Sequence, residues 1–362
     1  MNAAIFDVRD IAKGFSQLSK EPRKTTIYDI ATAAGTSAPT VSLVLGGSWR
    51  NYRISESTAN RVLAKAEELG YSVNLRARGL RLSKSGLAGM IVPHYRNRFF
   101  AGLAEAFEIQ ARERGLCPVV VSTQRDPKTE IEAVETLVSH QVEFLFVAGV
   151  NNPVQVNRLC NSAGVRSINI DLPGSEAPSA ISDNRAAAQE LTRRLIERVG
   201  RSQEPDFFFV GGDETDNSTR ERTQGVHDAF KSFGFSVAAK AFNYCGYSPS
   251  ATAAEITGLI EKRDGDLPQA IFTNGITALE GLMMVRNELS AGKFDKSVIG
   301  CFDWDPFAAS LRMDITFARQ DVEGLITAGF QLLDDFRKGH NPTIRVPVDI
   351  RATPGETVRA PA

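Results

Sequence analysis

From Leu87 onward the chain alternates short, continuously apolar runs with stretches of helical period, and this alternation limits the possible folds more than any other feature. The runs are LAGMIVP, CPVVVST, VEFLFVAGV and RSINID, then DFFFVGG, SVAAKAF, QAIFTN and KSVIGCFD. Amphipathic patterns stand between them, for example Phe99 to Arg114 and Pro249 to Lys262. A strand that is apolar on both faces must be covered on both faces, which is the condition of a parallel sheet flanked by helices. The runs form two sets, divided near Gly174 to Asn184 and again near Asp303 to Arg319. Two doubly wound parallel sheets, in two lobes joined by crossovers, are therefore predicted. Such sheets bind ligands outside the carboxyl ends of their strands, so the cleft between the lobes is the expected site.

The residues before this body read differently. In TIYDIATAAGTSAPTVSLVLGG, Thr26 suits an N-cap and Asp29 favours the start of a helix. Ile27, Ile30, Ala31 and Ala34 recur at helical spacing, and Gly35 supplies the turn. Ser37 is a second cap, followed by Thr40, Val41, Val44 and Leu45. A third helix is predicted from Ser55, with Ala59, Val62, Leu63, Ala66 and Leu69 as its apolar residues and Gly70 as its end. Two short helices around one glycine turn make a helix-turn-helix. Within GGSWRNYR, Arg50 and Arg53 are available to phosphates, while Trp49 and Tyr52 are expected to pack on the loop.

Charge separates the same two regions. The net charge is only −1, yet residues 1–85 carry thirteen Lys and Arg against seven Asp and Glu, and the rest carries 29 against 36. A basic head on an acidic body is the footprint of a nucleic-acid module joined to something else. The 362 residues suit two to three domains. No apolar run spans a membrane, and Asp7, Arg9 and Asp10 interrupt the N-terminal stretch, so no secretory signal is read and a cytoplasmic location is expected. Cys117, Cys160, Cys245 and Cys301 lie far apart, so neither a zinc site nor a disulfide framework is expected, and no cofactor.

The head resembles that of the LacI/GalR family of bacterial regulators. The matching residues are Thr26, Tyr28, Asp29, Ile30, Ala31, Ala34, Gly35, Ser37, Thr40, Val41 and Ser42, then Ile54, Ser55, Thr58, Val62, Ala66, Leu69, Gly70, Tyr71 and Asn74. The resemblance implies that the second helix enters the major groove of an inverted-repeat operator. Ala38, Pro39 and Leu43 would stand at base-contacting positions. The hydroxyls of Tyr28, Ser37, Thr40 and Ser42 and the Asn74 amide would bond phosphates, with Thr26 and Arg53 completing the DNA-facing set. Where some members carry arginine, Leu43 stands here, so thymine methyls are plausible targets. In the basic segment NLRARGLRLSKSG, Leu80 would wedge into a central base step from the minor groove, with Ala77 and Arg78 lining it. Gly79 makes the ordering of that hinge costlier by about 1 kcal/mol.

The resemblance runs over about residues 25–350. It implies an all-α helix-turn-helix head on a two-lobed α/β body like the periplasmic sugar-binding proteins. Its markers in the body are Phe99–Phe100, SAISDN, Arg222 with Gly225 and Val226, TNG, and CFDW before ARQD; the spacing is most similar to fructose-type sugar repressors. The divisions expected are an arm at 1–24, expected to be disordered, the head at 25–72, a hinge at 73–85, the sensor at 86–352 and a tail at 353–362. The implied effector residues are His94, Arg98, Phe100, Asp171, Arg220, Arg222, Asn274 and Asp303. Gly275, Trp304 and His94 stand where the family commonly has aspartate. The cleft is thus expected to have lost acids and kept bases (His94, Arg96, Arg98, Arg220, Arg222), which favours an anionic effector such as a sugar phosphate. A homodimer, without a coiled-coil tail, is expected to read the operator.

Three other classes fit these residues less well. A transport-type binding protein does not account for the basic head. An enzyme does not fit, because P-loop, GxSxG and HExxH patterns are absent and GGDETD reads as a solvated loop. A DNA-binding dimer with a decayed cleft is opposed by Arg222, Asn274 and Asp303.

Overall fold

The computed structural model describes residues 25–71, 85–200, 203–288, 294–311 and 313–353. It divides into two compact units, 1–83 and 84–362.

In the first unit, α1 (Ile27–Ala34), α2 (Ala38–Leu45) and α3 (Glu56–Glu68) start where the capping chemistry places them. Thr26 and Asp29 form a capping box: the Thr26 amide donates to Asp29 Oδ2 at 2.8 Å, and the Asp29 amide donates back to Thr26 Oγ1 at 3.4 Å. Gly35 ends α1 with φ of 60°, a conformation that a side chain would disfavour. Ser37 and Ser55 cap α2 and α3. The core is small: Ile30, Ala31, Ala34, Val41, Val44, Ala59, Val62 and Ala66. Arg61 Nε donates to the Ala34 carbonyl at 2.9 Å and ties α3 to the end of α1.

Three expectations fail here. Leu63 and Leu69 are exposed, because the α3 stripe that meets α1 and α2 is only as wide as Ala59, Val62 and Ala66. Tyr52 is exposed, since the 3₁₀ turn Trp49–Tyr52 turns only Trp49 towards the core.

In the second unit, the first lobe holds a six-stranded parallel sheet. Its strands are β1 (Leu87–Val92), β2 (Cys117–Ser122), β3 (Phe144–Ala148), β4 (Arg166–Ile170), β5 (Ser179–Ser182) and, arriving late in the chain, β11 (Thr343–Val346). The order is β11-β5-β4-β3-β1-β2. Successive residues feed opposite faces. Met90, Phe144 and Phe146 pack under α4 (Arg98–Glu113) and α11 (Val322–Asp334) with Phe107 and Phe330. Ile91, Leu145 and Val147 pack under α5 (Pro127–Ser139) and α6 (Pro153–Ser162).

The second lobe repeats this plan with β6 (Phe207–Val210), β7 (Phe242–Asn243), β8 (Ala270–Thr273), β9 (Val298–Phe302), β10 (Ile315–Gln320) and β12 (Val348–Thr353), in the order β12-β10-β9-β8-β6-β7. Only β12 runs antiparallel, against β10. One face is covered by α7 (Asn184–Val199) and α8 (Asn217–Ser232), the other by α9 (Pro249–Glu261) and α10 (Ile276–Glu288). Gly225 lets α8 lie directly on α7: a Cβ there would sit 2.3 Å from the Arg185 carbonyl oxygen.

The chain changes lobe after β5, after β10 and between β11 and β12. The second crossing thus falls just beyond the expected segment, because β10 first completes the second sheet, and the third crossing was not expected. SVAAKAF is not a strand. It holds the 3₁₀ turn Ala239–Ala241 and only the start of β7, since an alanine- and lysine-bearing edge run has little to bury.

Candidate functional site

Seven non-glycine residues among those described have positive φ, and four of them, Gln124, Arg125, Asp171 and Asp303, lie just past the carboxyl ends of β2, β4 and β9. Left-handed non-glycine residues cost energy and persist where the surroundings hold them, often at functional sites. Arg125, Asp171 and Asp303 line one cavity of about 450 Å³ between the lobes. That volume suits a small ligand rather than a macromolecule.

Arg222 is the centre of its floor. It lies six residues into α8, on the face that also buries Thr219 and Val226, and it is 5% exposed. Its Nε donates to Asn184 Oδ1 at 2.8 Å and its Nη1 to Asn274 Oδ1 at 3.2 Å. Its guanidinium carbon is 3.6 Å from the centre of the Phe302 ring. The Asn274 amide nitrogen donates to Thr219 Oγ1 at 3.0 Å. Both ends of that amide are therefore engaged, and Asn274 lines the cavity while holding Arg222 in place.

Two acids accompany this arginine. Burial pushes the Asp171 carboxyl up to about 6; Arg222 pulls it down and Asp303 pushes it up. The Asp303 carboxyl is also raised, chiefly by burial, against the pull of Arg222 and the hydrogen bond from Gln320. Gln320 donates to Asp303 and accepts from the Ser182 hydroxyl at 2.6 Å. Because Ser182 and Gln320 end two of the three strands from which the chain changes lobe, this relay joins the cavity floor to those two crossovers. A buried cation held by two amides and within the field of two carboxyls suits a ligand rich in hydroxyls, each of which both donates and accepts.

The opposite wall comes from the first lobe. His94, Arg96, Phe99, Phe100 and Arg125 line it. The His94 imidazole is held below its ordinary value by burial and by the charges of Arg96 and Arg125. Phe99 and Phe100 meet edge to face, with centroids 5.1 Å apart.

Arg98 and Arg220 stand outside the cavity. Arg98 opens α4, pairs with Asp305 and is mostly exposed, because the helix turns Phe99 and Phe100 inward instead. Arg220 is exposed, since two residues along α8 from the inward Arg222 is about 200° around the helix. The cavity has not lost its acids: Glu280 joins Asp171 and Asp303 on its lining. Sequence reasoning missed Arg125, Tyr247, Glu280 and Gln320. The position of Arg125 two residues past an apolar run, near a strand's carboxyl end, was one available signal, and Gln320 stands within the ARQD marker.

In the head, Ser37 and Pro39 are exposed at the start of α2, and Ala38, Thr40, Ser42 and Leu43 are half-buried. Ser37 Oγ and Thr40 Oγ1 are 2.9 Å apart. Tyr28 stands 70% exposed on α1. Arg53 is exposed after the 3₁₀ turn, and the Arg50 guanidinium lies 4.9 Å from the Trp49 ring centre. Asn74, Ala77, Arg78 and Leu80, with the arm at 1–24, the hinge residues up to 84 and the tail from 354, lie outside the described residues.

Comparison with known proteins places both units. Residues 26–74 match the model for bacterial regulatory proteins of the lacI family, and residues 88–335 match a periplasmic binding protein domain. The chain is 45% identical to the ribitol operon repressor of Klebsiella aerogenes over 192 residues, covering 52% of this chain and 71% of that protein. It is 31% identical to the fructose operon regulatory protein of Vibrio cholerae over 265 residues, 72% of this chain and 78% of that one. Among solved structures, a lac repressor dimer bound to operator and an anti-inducer superposes with a TM-score of 0.76 at 20% identity, over 91% of this chain and 98% of that one. The chain belongs to the lacI family of bacterial regulatory proteins.

Proposed function

We propose that this protein is a cytoplasmic repressor of a carbohydrate operon, gripping an inverted-repeat operator as a homodimer and releasing or retaining it according to a polyhydroxy effector in the cleft. The observation that carries the effector reading is Arg222. It is buried, fixed by Asn184 and Asn274, stacked on Phe302, and set near Asp171 and Asp303 at the strand ends. A sugar or sugar alcohol supplies the paired hydroxyls that such a floor can bind, and the Phe99–Phe100 wall supplies an apolar face for its carbons. A ligand with more favourable contacts in one arrangement of the lobes shifts the protein towards it, and that bias is what alters DNA affinity. In the head, phosphate contacts from Tyr28, Ser37, Thr40 and Ser42 would set register, and Ala38, Pro39 and Leu43 would face bases.

The names of the relatives, which repress or regulate ribitol, sucrose and fructose operons, put pentitols, hexoses, disaccharides and their phosphates first on the panel to be tried. The test is a gel shift on DNA upstream of the chain's own gene at fixed salt, repeated with each compound. A specific band altered by one compound is the expected result. Binding no stronger than to random DNA under every condition would sink the reading.

A further inference from the structure

The two ends of the cavity hold their cations by different partners. Arg222, at the floor, spends its guanidinium on hydrogen bonds to Asn184 and Asn274. Arg125, on the loop between β2 and α5, has aromatic rings instead. Its guanidinium carbon lies 4.5 Å from the centre of the Tyr247 ring, contributed by the second lobe, and 5.9 Å from that of Phe100, contributed by the first. Among the described residues no carboxylate pairs with it directly, and its charge reaches the Glu130 and Asp213 carboxyls only at longer range. Glu130, the acid closest in sequence on the neighbouring helix, is turned towards the Asn151 amide and side chain. Asp213 is occupied by the Thr215 amide and hydroxyl.

The loop that presents Arg125 is held in place. Gln124 and Arg125 are both left-handed, with φ of 55° and 57°. The Gln124 amide donates to the Pro93 carbonyl at 2.8 Å, and Asn151 Nδ2 donates to the Arg125 carbonyl at 2.8 Å. Arg96 lines the same end, and both guanidinium charges bear on His94. Ring faces orient a cation without neutralising it. A half-buried guanidinium fixed in this way is a ready receptor for a carboxylate or phosphate, which its planar fork bonds twice.

We propose that Arg125, assisted by Arg96, is an anion-reading end of the cleft, so that the natural effector is a polyol or sugar bearing a terminal phosphate or carboxylate. This rests on the reading of the cleft as the effector site.

The test is calorimetric titration of the full chain with matched compounds: ribitol, ribitol 5-phosphate and ribonate, then fructose with fructose 1-phosphate and glucose with glucose 6-phosphate. The expected result is that an anionic member binds at least about tenfold more tightly than its neutral partner, the gain of one charge-assisted pair. Arg125→Gln should collapse that ratio to near one, Arg96→Gln should reduce it less, and Arg125→Lys should restore part of it. Thermal melts of each variant establish that it is folded. If a neutral member binds as well as or better than its anions, or if Arg125→Gln leaves the ratio intact, the anion end is overturned and the effector site stands. If no compound of the panel binds at all, both fall together. Preference for phosphate over ribonate, or the reverse, decides between the two anionic groups.

Discussion

The head and the sensor bury their cores by different means, and they expose their functional residues differently. The head has three short helices and a core of eight residues whose largest members are Ile30 and three valines, Val41, Val44 and Val62. Its helix starts are set by neighbours three positions away: Thr26 with Asp29, Ser37 with Thr40, Ser55 with Thr58. The sensor has two six-stranded sheets with phenylalanine clusters, and its cavity is assembled from strand ends far apart in sequence. Local chemistry therefore announces the head, whereas the sensor's site exists only once the sheets are formed.

The largest expected effect tests how little core the head has. Ile30→Ala removes a fully buried side chain and should cost about 3–4 kcal/mol. In a scanning calorimeter the head transition should move to much lower temperature while the sensor transition stays. A single shifted transition for the whole chain would show that the units do not melt independently. Next, Arg222→Ala leaves Asn184, Asn274 and two acids without their cation, and should weaken effector binding by about 100-fold or more. Titration that finds less than about tenfold loss would move the binding centre away from the floor.

Asp171→Asn gives a pH signature. Because its folded pKa is raised to about 6, the native state keeps that proton longer than the unfolded chain does. The charged form therefore penalises the fold above pH 6, and the penalty fades as pH falls towards 4. The asparagine variant should be more stable than the parent by about 2 kcal/mol at pH 8, with the gap closing by pH 4. Denaturant titrations that find a gap independent of pH would remove the burial account. Smaller still, Thr26→Ala should cost the head about 1 kcal/mol by breaking the capping box. The smallest is Arg220→Ala. This residue is exposed beside the buried Arg222, so effector affinity should change less than about twofold. A large loss there would mean that α8 turns a second arginine to the ligand.

The reading of the sequence succeeded where the signal is local or periodic. The three head helices begin at their caps, and seven of the eight predicted apolar runs contain a strand. It failed on SVAAKAF because hydrophobicity alone does not say whether a run sits in a sheet or at its edge. It passed over β5, β10, β11 and β12 as strands, since SAIS, ITFARQ, TIRV and VDIRAT are short or carry polar residues and are stabilised by their neighbours rather than by their own composition. Arg98 and Arg220 were grouped with Arg222 because proximity in sequence does not say which face of a helix turns inward.

What the amino-acid order determined by itself is the division of the chain: capped helices around a glycine turn in a basic head, then apolar strands demanding cover on both faces. Those features act over three or four residues, or over the length of a strand. Only the tertiary structure decided the cavity. It put Arg222 between Asn184 and Asn274, brought Asp171 and Asp303 from different sheets to the same floor, and held Arg125 between a ring of each lobe. The reason is that burial and charge environment are set by which strand ends meet across the cleft. That depends on sheet order and on three chain crossings, and no local pattern encodes either.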